Sequence, residues 1–80
     1  MTYALKWHPQ AFRVLEKLPK ETIQRVLRKF DLVVEYPFRF IEHYEGENLF
    51  KLRIGDYRAL IDINIQNKVI LEKVFYHRSK

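Results

Sequence analysis

The chain has 80 residues, no cysteine, three histidines and a formal net charge of +5 at pH 7. This length predicts one small domain over residues 1–80, and the lack of cysteine excludes disulfides. No apolar run approaches the length of a membrane span, and the N-terminus lacks the apolar segment of a signal peptide. We therefore expect a cytoplasmic protein with no membrane partner.

The positive charge is concentrated in the second half of the chain. Residues 49–80 hold 7 Lys/Arg and 3 Asp/Glu, whereas residues 1–48 hold 8 Lys/Arg and 7 Asp/Glu. This asymmetry favours a polyanionic partner, either nucleic acid or an acidic protein segment. Charge that only maintains solubility is the alternative.

The first half of the chain predicts a strand and two helices. Residues 3–7 favour β-structure, and Pro9 can open a helix because the first helical position needs no N–H partner. The apolar residues after Pro9 follow helical spacing up to Pro19, and residues 20–36 repeat that spacing until Pro37. Two amphipathic helices joined at a proline are typical of a helical hairpin.

The second half predicts a loop followed by three strands. Residues 37–48 show no clear period and are interpreted as a loop. Turns are predicted at Gly55-Asp56 and at Gln66-Asn67. The predicted strands cover residues 49–54, 57–65 and 68–77. The order β-α-α-β-β-β predicts an α+β fold, a helical hairpin packed on a mostly antiparallel four-stranded sheet.

The segment LFKLRIGDYR, residues 49–58, carries the clearest functional pattern. Lys51 and Arg53 alternate with apolar residues, so one side of this strand is cationic and the other hydrophobic. Alternation on the next strand allows Arg58 to share the cationic side. Three fixed cations with no carboxylate between them except Asp56 suit a phosphate group. Ordinary solvent-facing cations of an edge strand are the alternative.

Several classes of site are excluded by residue type and spacing. The histidines, His8, His43 and His77, are far apart in sequence, so we expect no metal site. There is no glycine-rich phosphate loop, and the single serine, Ser79, lies in the tail. We therefore expect no cofactor and no Ser-His-Asp chemistry.

The remaining candidates could cleave RNA without a metal ion. In that reaction the 2′-hydroxyl attacks the neighbouring phosphodiester, so the site must accept one proton, stabilise a phosphorane and donate one proton. Arginine and lysine suit the stabilising role, and histidine suits either proton transfer. The candidate residues are Lys51, Arg53, Arg58, His77 and Arg78.

The chain resembles the RelE/ParE toxin superfamily, in particular its RelE branch. The segment FKLRIGDYR matches that family's (Y/F)-(R/K)-hydrophobic-(R/K)-hydrophobic-G-x-YR signature, and FYHR near the C-terminus matches its terminal hydrophobic-x-HR element. The resemblance implies a microbial-RNase-like fold and ribosome-dependent cleavage of mRNA in the A site. It also implies neutralisation by a cognate RelB-like antitoxin.

The resemblance also implies roles for individual residues. Lys51 and Arg53 match the family's basic pair, and Arg58 matches the arginine that stabilises the transition state. Arg78 matches the arginine that stabilises the phosphate or assists the leaving group. His77 stands where members of the family have His, Lys or Gly. RNA binding is predicted for Lys51, Arg53, Tyr76 and Lys80.

The chain departs from the family at its end. RelE-branch toxins usually continue to a tyrosine that stacks on mRNA, and this chain has no tyrosine after Arg78. Weakened or altered activity is therefore expected, with Tyr76 or Tyr57 as substitutes, although alternation leaves open that Tyr76 points away. A ParE-like inhibitor of DNA gyrase and an inactive antitoxin-bound co-repressor are the alternatives.

Overall fold

The computed structural model describes residues 2–46 and 48–79, which form two helices and five strands. The helices are α1 (Pro9–Glu16) and α2 (Lys20–Glu35), followed by a short 3₁₀ turn (Pro37–Arg39). The strands are β1 (Ala4–Trp7), β2 (Ile41–Glu45), β3 (Leu49–Ile54), β4 (Tyr57–Asn64) and β5 (Val69–His77). The α+β class and the helical hairpin are confirmed, whereas the count of four strands is wrong.

Local chemistry explains where α1 begins and where α2 ends. His8 caps α1, because its Nδ1 accepts a hydrogen bond from the backbone N–H of Gln10 at 3.2 Å, and Pro9 occupies the first turn. The second helix ends before Pro37 because helical geometry is disfavoured for the residue preceding a proline, here Tyr36. Neither helix of the described part of the chain is long and apolar enough to span a bilayer.

The five strands form one sheet in the order β1-β5-β4-β3-β2. The first strand pairs in parallel with β5, and the other neighbours are antiparallel. The predicted loop over residues 37–48 is wrong in its centre, because Ile41–Glu45 form the edge strand β2. Four of the five residues of β2 are exposed, so the strand lacks the hydrophobic alternation that pattern analysis detects.

The β4–β5 connection also differs from the prediction. The two-residue turn at Gln66-Asn67 is replaced by a longer one, in which the Asn64 side chain accepts a hydrogen bond from the Asn67 N–H at 2.9 Å. The residue with positive φ is Lys68, at 58°. The chain therefore reverses later than expected, and β5 begins at Val69.

The core lies between the two helices and one side of the sheet. Buried side chains of α2, including Val26 and Phe30, pack there against strand residues such as Leu52 and Ile61. The Trp7 ring meets the Phe30 ring edge-on, with centroids 5.2 Å apart. In the described part of the chain no helix covers the opposite side of the sheet, which carries Arg53, Arg58 and Tyr76.

A bulge in β5 explains why this strand has apolar residues on both faces. The pairing with β4 shifts between Leu60 and Ile61, whose partners are Val74 and Glu72, so Lys73 is an extra residue. The shift exchanges the faces of the residues that precede it. As a result Glu72, which is 0% exposed, points into the core together with Ile70.

Candidate functional site

The uncovered side of the sheet carries a row of three residues from three adjacent strands. Arg53 and Arg58 are paired across β3 and β4, and Arg58 is paired with Tyr76 across β4 and β5. Paired residues point to the same side of a sheet, and they lie about 5 Å apart. Their neighbours along each strand, such as Leu52 and Ala59, are buried in the core. The predicted shared face of Arg53 and Arg58 is thus confirmed.

Arg58 is held in place by the β3–β4 turn. Its Nη1 donates hydrogen bonds to the carbonyl oxygens of Gly55 at 2.9 Å and Tyr57 at 2.8 Å. Gly55 has a φ of +57°, a conformation that side chains with a Cβ disfavour, and this allows the tight turn that presents both carbonyls. The other N–H groups of Arg58 remain available for an anionic ligand.

A further arginine reaches the same turn from α2. A Cβ built on Gly55 would lie 3.6 Å from Nη1 of Arg25, so this guanidinium lies directly beside the turn. Arg25 was not singled out as a candidate from the sequence. Nothing in the helical pattern could have singled it out, because the contact depends on how α2 packs across β3.

Arg78 contacts the β3–β4 turn through both its backbone and its side chain. Its N–H donates to the carbonyl oxygen of Asp56 at 2.8 Å, and its Nε lies 3.3 Å from Asp56 Oδ1. The two side chains are 61% and 62% exposed, so the pair is worth less than about 1 kcal/mol. A phosphate could therefore displace the carboxylate and take Arg78 as its partner.

Lys51 lies on β3, two residues before Arg53, and it is paired with the edge strand β2. Its register partner on β2 is Glu42, yet its Nζ lies 5.4 Å from the centroid of the Tyr44 ring. Lys51 and Arg53 line a shallow groove of about 300 Å³ together with Arg39. Arg39 was not a sequence candidate, because the 3₁₀ turn and β2 that bring it to the groove were interpreted as a loop.

Comparison with known proteins relates this chain to toxins of toxin–antitoxin systems. Residues 5–80 match the family model described as the ParE toxin of the type II toxin–antitoxin system parDE. A chain of the archaeal RelE–RelB complex from Pyrococcus horikoshii OT3 is 32% identical, with a TM-score of 0.88, and the match covers 100% of this chain and 99% of that chain.

The chain belongs to the RelE/ParE family of type II toxin–antitoxin toxins.

Two other solved structures extend the comparison of this RelE/ParE family member. A chain of the RelBE2 toxin–antitoxin complex from Mycobacterium tuberculosis is 26% identical with a TM-score of 0.86, and the match covers 98% of this chain and 100% of that one. The isolated E. coli RelE toxin shares the fold at 17% identity with a TM-score of 0.83, covering 98% and 86% of the two chains. A search of curated proteins finds no match.

Two neighbouring candidates of this RelE/ParE toxin lie on opposite sides of the sheet. Tyr76 lies beside Arg58 on the side of the sheet that carries the cations. Alternation along the sequence had left open whether Tyr76 points toward this side or away from it, and the structure shows that it points toward it. His77 is paired with Tyr57, and the two rings meet edge-on with centroids 5.1 Å apart. Tyr57 in turn stacks on buried Phe75 at 5.2 Å, so both it and His77 face the helices.

The structure therefore does not bring His77 to the cations, contrary to the expected meeting of His77 and Arg78 with them across the sheet. Its Nδ1 instead lies 2.7 Å from the Ser79 hydroxyl. The predicted RNA contact at Lys80 lies outside the described residues. Among residues 2–46 and 48–79, no three His, Asp or Glu side chains are grouped so that they could hold a metal ion.

Proposed function

We propose that this RelE/ParE family toxin cleaves mRNA in the ribosomal A site by a metal-independent reaction. The observation that supports it best is the row of Arg53, Arg58 and Tyr76 across the open side of the sheet. It combines Arg58, which two carbonyl oxygens hold in place, with a second cation and a side chain that can donate a proton. A phosphodiester lying along this row would have positive charge beside the oxygens that gain negative charge.

The proposed reaction forms one bond and breaks another at the same phosphorus atom. The 2′-oxygen loses its proton and bonds to phosphorus, and the 5′-oxygen leaves and takes up a proton. Arg58, fixed by two carbonyl oxygens, and Arg53 stabilise the phosphorane, while Lys51 and a released Arg78 hold the flanking phosphates. Tyr76 lies on this side of the sheet and His77 does not. The Tyr76 hydroxyl therefore donates the proton to the leaving 5′-oxygen, and solvent water accepts the proton of the 2′-hydroxyl.

The decisive experiment measures cleavage of an mRNA in translating ribosomes. Arg58→Ala should lower the single-turnover rate by about 100- to 1000-fold, because it removes a preorganised donor to the developing charge. Arg13→Ala is the matched control, since Arg13 is an exposed arginine on α1, on the other side of the sheet. Cleavage by Arg58→Ala at the wild-type rate would remove Arg58 from the mechanism.

The proposal includes an acidic antitoxin as partner in the cytoplasm. Two of the similar structures are toxin–antitoxin complexes, and this chain carries a net charge of +5. An acidic segment that folds on binding would neutralise the cationic row and block access of RNA. A RelB-like protein should therefore bind the toxin in co-purification and abolish the cleavage.

A ParE-like action on DNA gyrase is the second candidate, because the matching family model is that of the ParE toxin. The cationic row argues for RNA cleavage, since a gyrase-binding protein has no need of phosphorane stabilisation. Inhibition of gyrase supercoiling without any mRNA cleavage would favour the ParE-like function. Antitoxin binding with neither activity would favour the co-repressor alternative.

A further inference from the structure

The edge strand β2 contains a bulge whose extra residue is an exposed tyrosine. Pairing with β3 shifts between His43 and Glu45, so Tyr44 has no register partner. A bulge turns its extra side chain away from simple alternation and is often found where a side chain has to be aimed. Here it places the Tyr44 ring near Lys51, while 45% of the residue stays exposed.

The backbone on both sides of Tyr44 is anchored. The His43 ring meets the Phe50 ring edge-on at 6.0 Å, and Phe50 meets Phe38 edge-on at 5.8 Å. The Nε2 of His43 is hydrogen-bonded to the carbonyl oxygen of Gly46, which closes the end of the strand. The position of Tyr44 is therefore set by contacts of its neighbours, and its ring, which Lys51 approaches, keeps exposed surface for a ligand.

The charges around Tyr44 indicate what kind of ligand fits. Glu42 and Glu45 lie two residues before it and one residue after it, and Glu42 lines the same groove as Arg53. Carboxylates repel a phosphate, so phosphates are expected at the arginine end of the groove. A neutral, flat group fits beside Tyr44, because stacking on an aromatic ring does not depend on charge.

We propose that Tyr44 is a base-stacking residue that holds a nucleobase flanking the scissile phosphate, with Arg39 contacting the adjacent phosphate. This assignment rests on the proposed mRNA cleavage. It places an aromatic side chain on each side of Arg53 and Arg58: Tyr76 on β5 and Tyr44 on β2. The two tyrosines are separated by three strand spacings, or roughly 14 Å, across the sheet and by about three residues, or roughly 10 Å, along the strands. The RNA would cross the strands, with its phosphates along the cations and a base beyond them on Tyr44.

The test compares Tyr44→Ala and Tyr44→Phe in the ribosome assay. Tyr44→Ala should raise KM for the ribosome-bound mRNA about 5- to 100-fold and leave kcat within about twofold, since stacking on one aromatic ring contributes that factor to binding. Tyr44→Phe keeps the ring and should behave like the wild type. Leu32→Ala, which shortens a 51% exposed residue of α2, is the control for the loss of exposed apolar surface.

A second set of substrates identifies the base. An abasic nucleotide is placed at each position around the cleavage site in turn. At one position it should impair the wild type by the factor seen for Tyr44→Ala, and it should have no effect on Tyr44→Ala itself. If abasic substitution impaired both proteins equally at every position, or if Tyr44→Ala left KM unchanged, the assignment of Tyr44 would be wrong while the proposed mRNA cleavage would stand. Absence of cleavage by the wild type would overturn the proposed function and this assignment with it.

Discussion

The buried carboxyl of Glu72 makes the stability of this toxin depend on pH. Glu72 is 0% exposed, and neither of its side-chain oxygens has a hydrogen-bond partner among the described residues. Burial raises the pKa of Glu72 to about 9 from an ordinary value of 4.5. The folded protein therefore keeps this proton at neutral pH, whereas the unfolded chain releases it.

The size of the effect follows from the two pKa values. Below pH 4.5 Glu72 is protonated in both the folded and the unfolded protein, so its ionisation does not lower the free energy of unfolding. Between pH 4.5 and about 9 only the unfolded state loses the proton, so the free energy of unfolding falls by about 1.4 kcal/mol per pH unit. The loss amounts to about 3 kcal/mol at pH 7 and about 6 kcal/mol once the folded state also ionises.

Glu72→Gln should remove this dependence, because glutamine has nearly the same shape and does not titrate. We expect the variant and the wild type to agree within about 1 kcal/mol at pH 4, and the variant to be about 3 kcal/mol more stable at pH 7. Urea denaturation at each pH unit from 4 to 9 measures the difference in the free energy of unfolding. That difference follows from the shift of the urea midpoint when the dependence on urea concentration is the same for both proteins. Glu16→Gln, an exposed glutamate of α1, is the control. Parallel pH profiles for Glu72→Gln and the wild type would refute a protonated, unpartnered carboxyl in the core.

Two further predictions concern the β3–β4 turn. Gly55→Ala should lower the free energy of unfolding by about 1–2 kcal/mol in urea denaturation, because alanine disfavours a φ of +57° although its Cβ would only make ordinary contact with Arg25. A variant as stable as the wild type would contradict the positive φ. Asp56→Asn should change stability by less than about 1 kcal/mol and lower KM for mRNA, because it frees Arg78 from an exposed ion pair. A higher KM would mean that Asp56 positions Arg78 for RNA instead of competing with it.

The local sequence pattern was sufficient to predict the strand that carries Lys51 and Arg53 and the turn that follows it. Alternation along residues 49–58 was enough to place Lys51 and Arg53 on one side, and Gly55 was enough to predict the reversal that returns Arg58 beside them. Both signals act within a few residues, so no tertiary information is needed. The same holds for the helices, whose spacing and flanking prolines define them locally.

The two β-bulges are features that prediction from local sequence pattern could not find. One extra residue in a strand moves every residue on one side of it to the other face, and the choice of bulge position depends on the partner strand. Strict alternation back from Phe75 would leave Glu72 on the solvent side, and the bulge at Lys73 buries it instead. Tyr44 is likewise aimed by a bulge in a strand that pattern analysis interpreted as a loop.

The amino-acid order by itself determined the α+β class, the two helices, the cationic strand and the glycine turn, because each depends on periodicity or backbone preference over short distances. Only the tertiary structure decided that β1 lies parallel to β5, that Tyr76 faces the cations while His77 faces the helices, and that Glu72 lies in the core. These features depend on pairing between residues far apart in the chain, where register decides which face each side chain occupies.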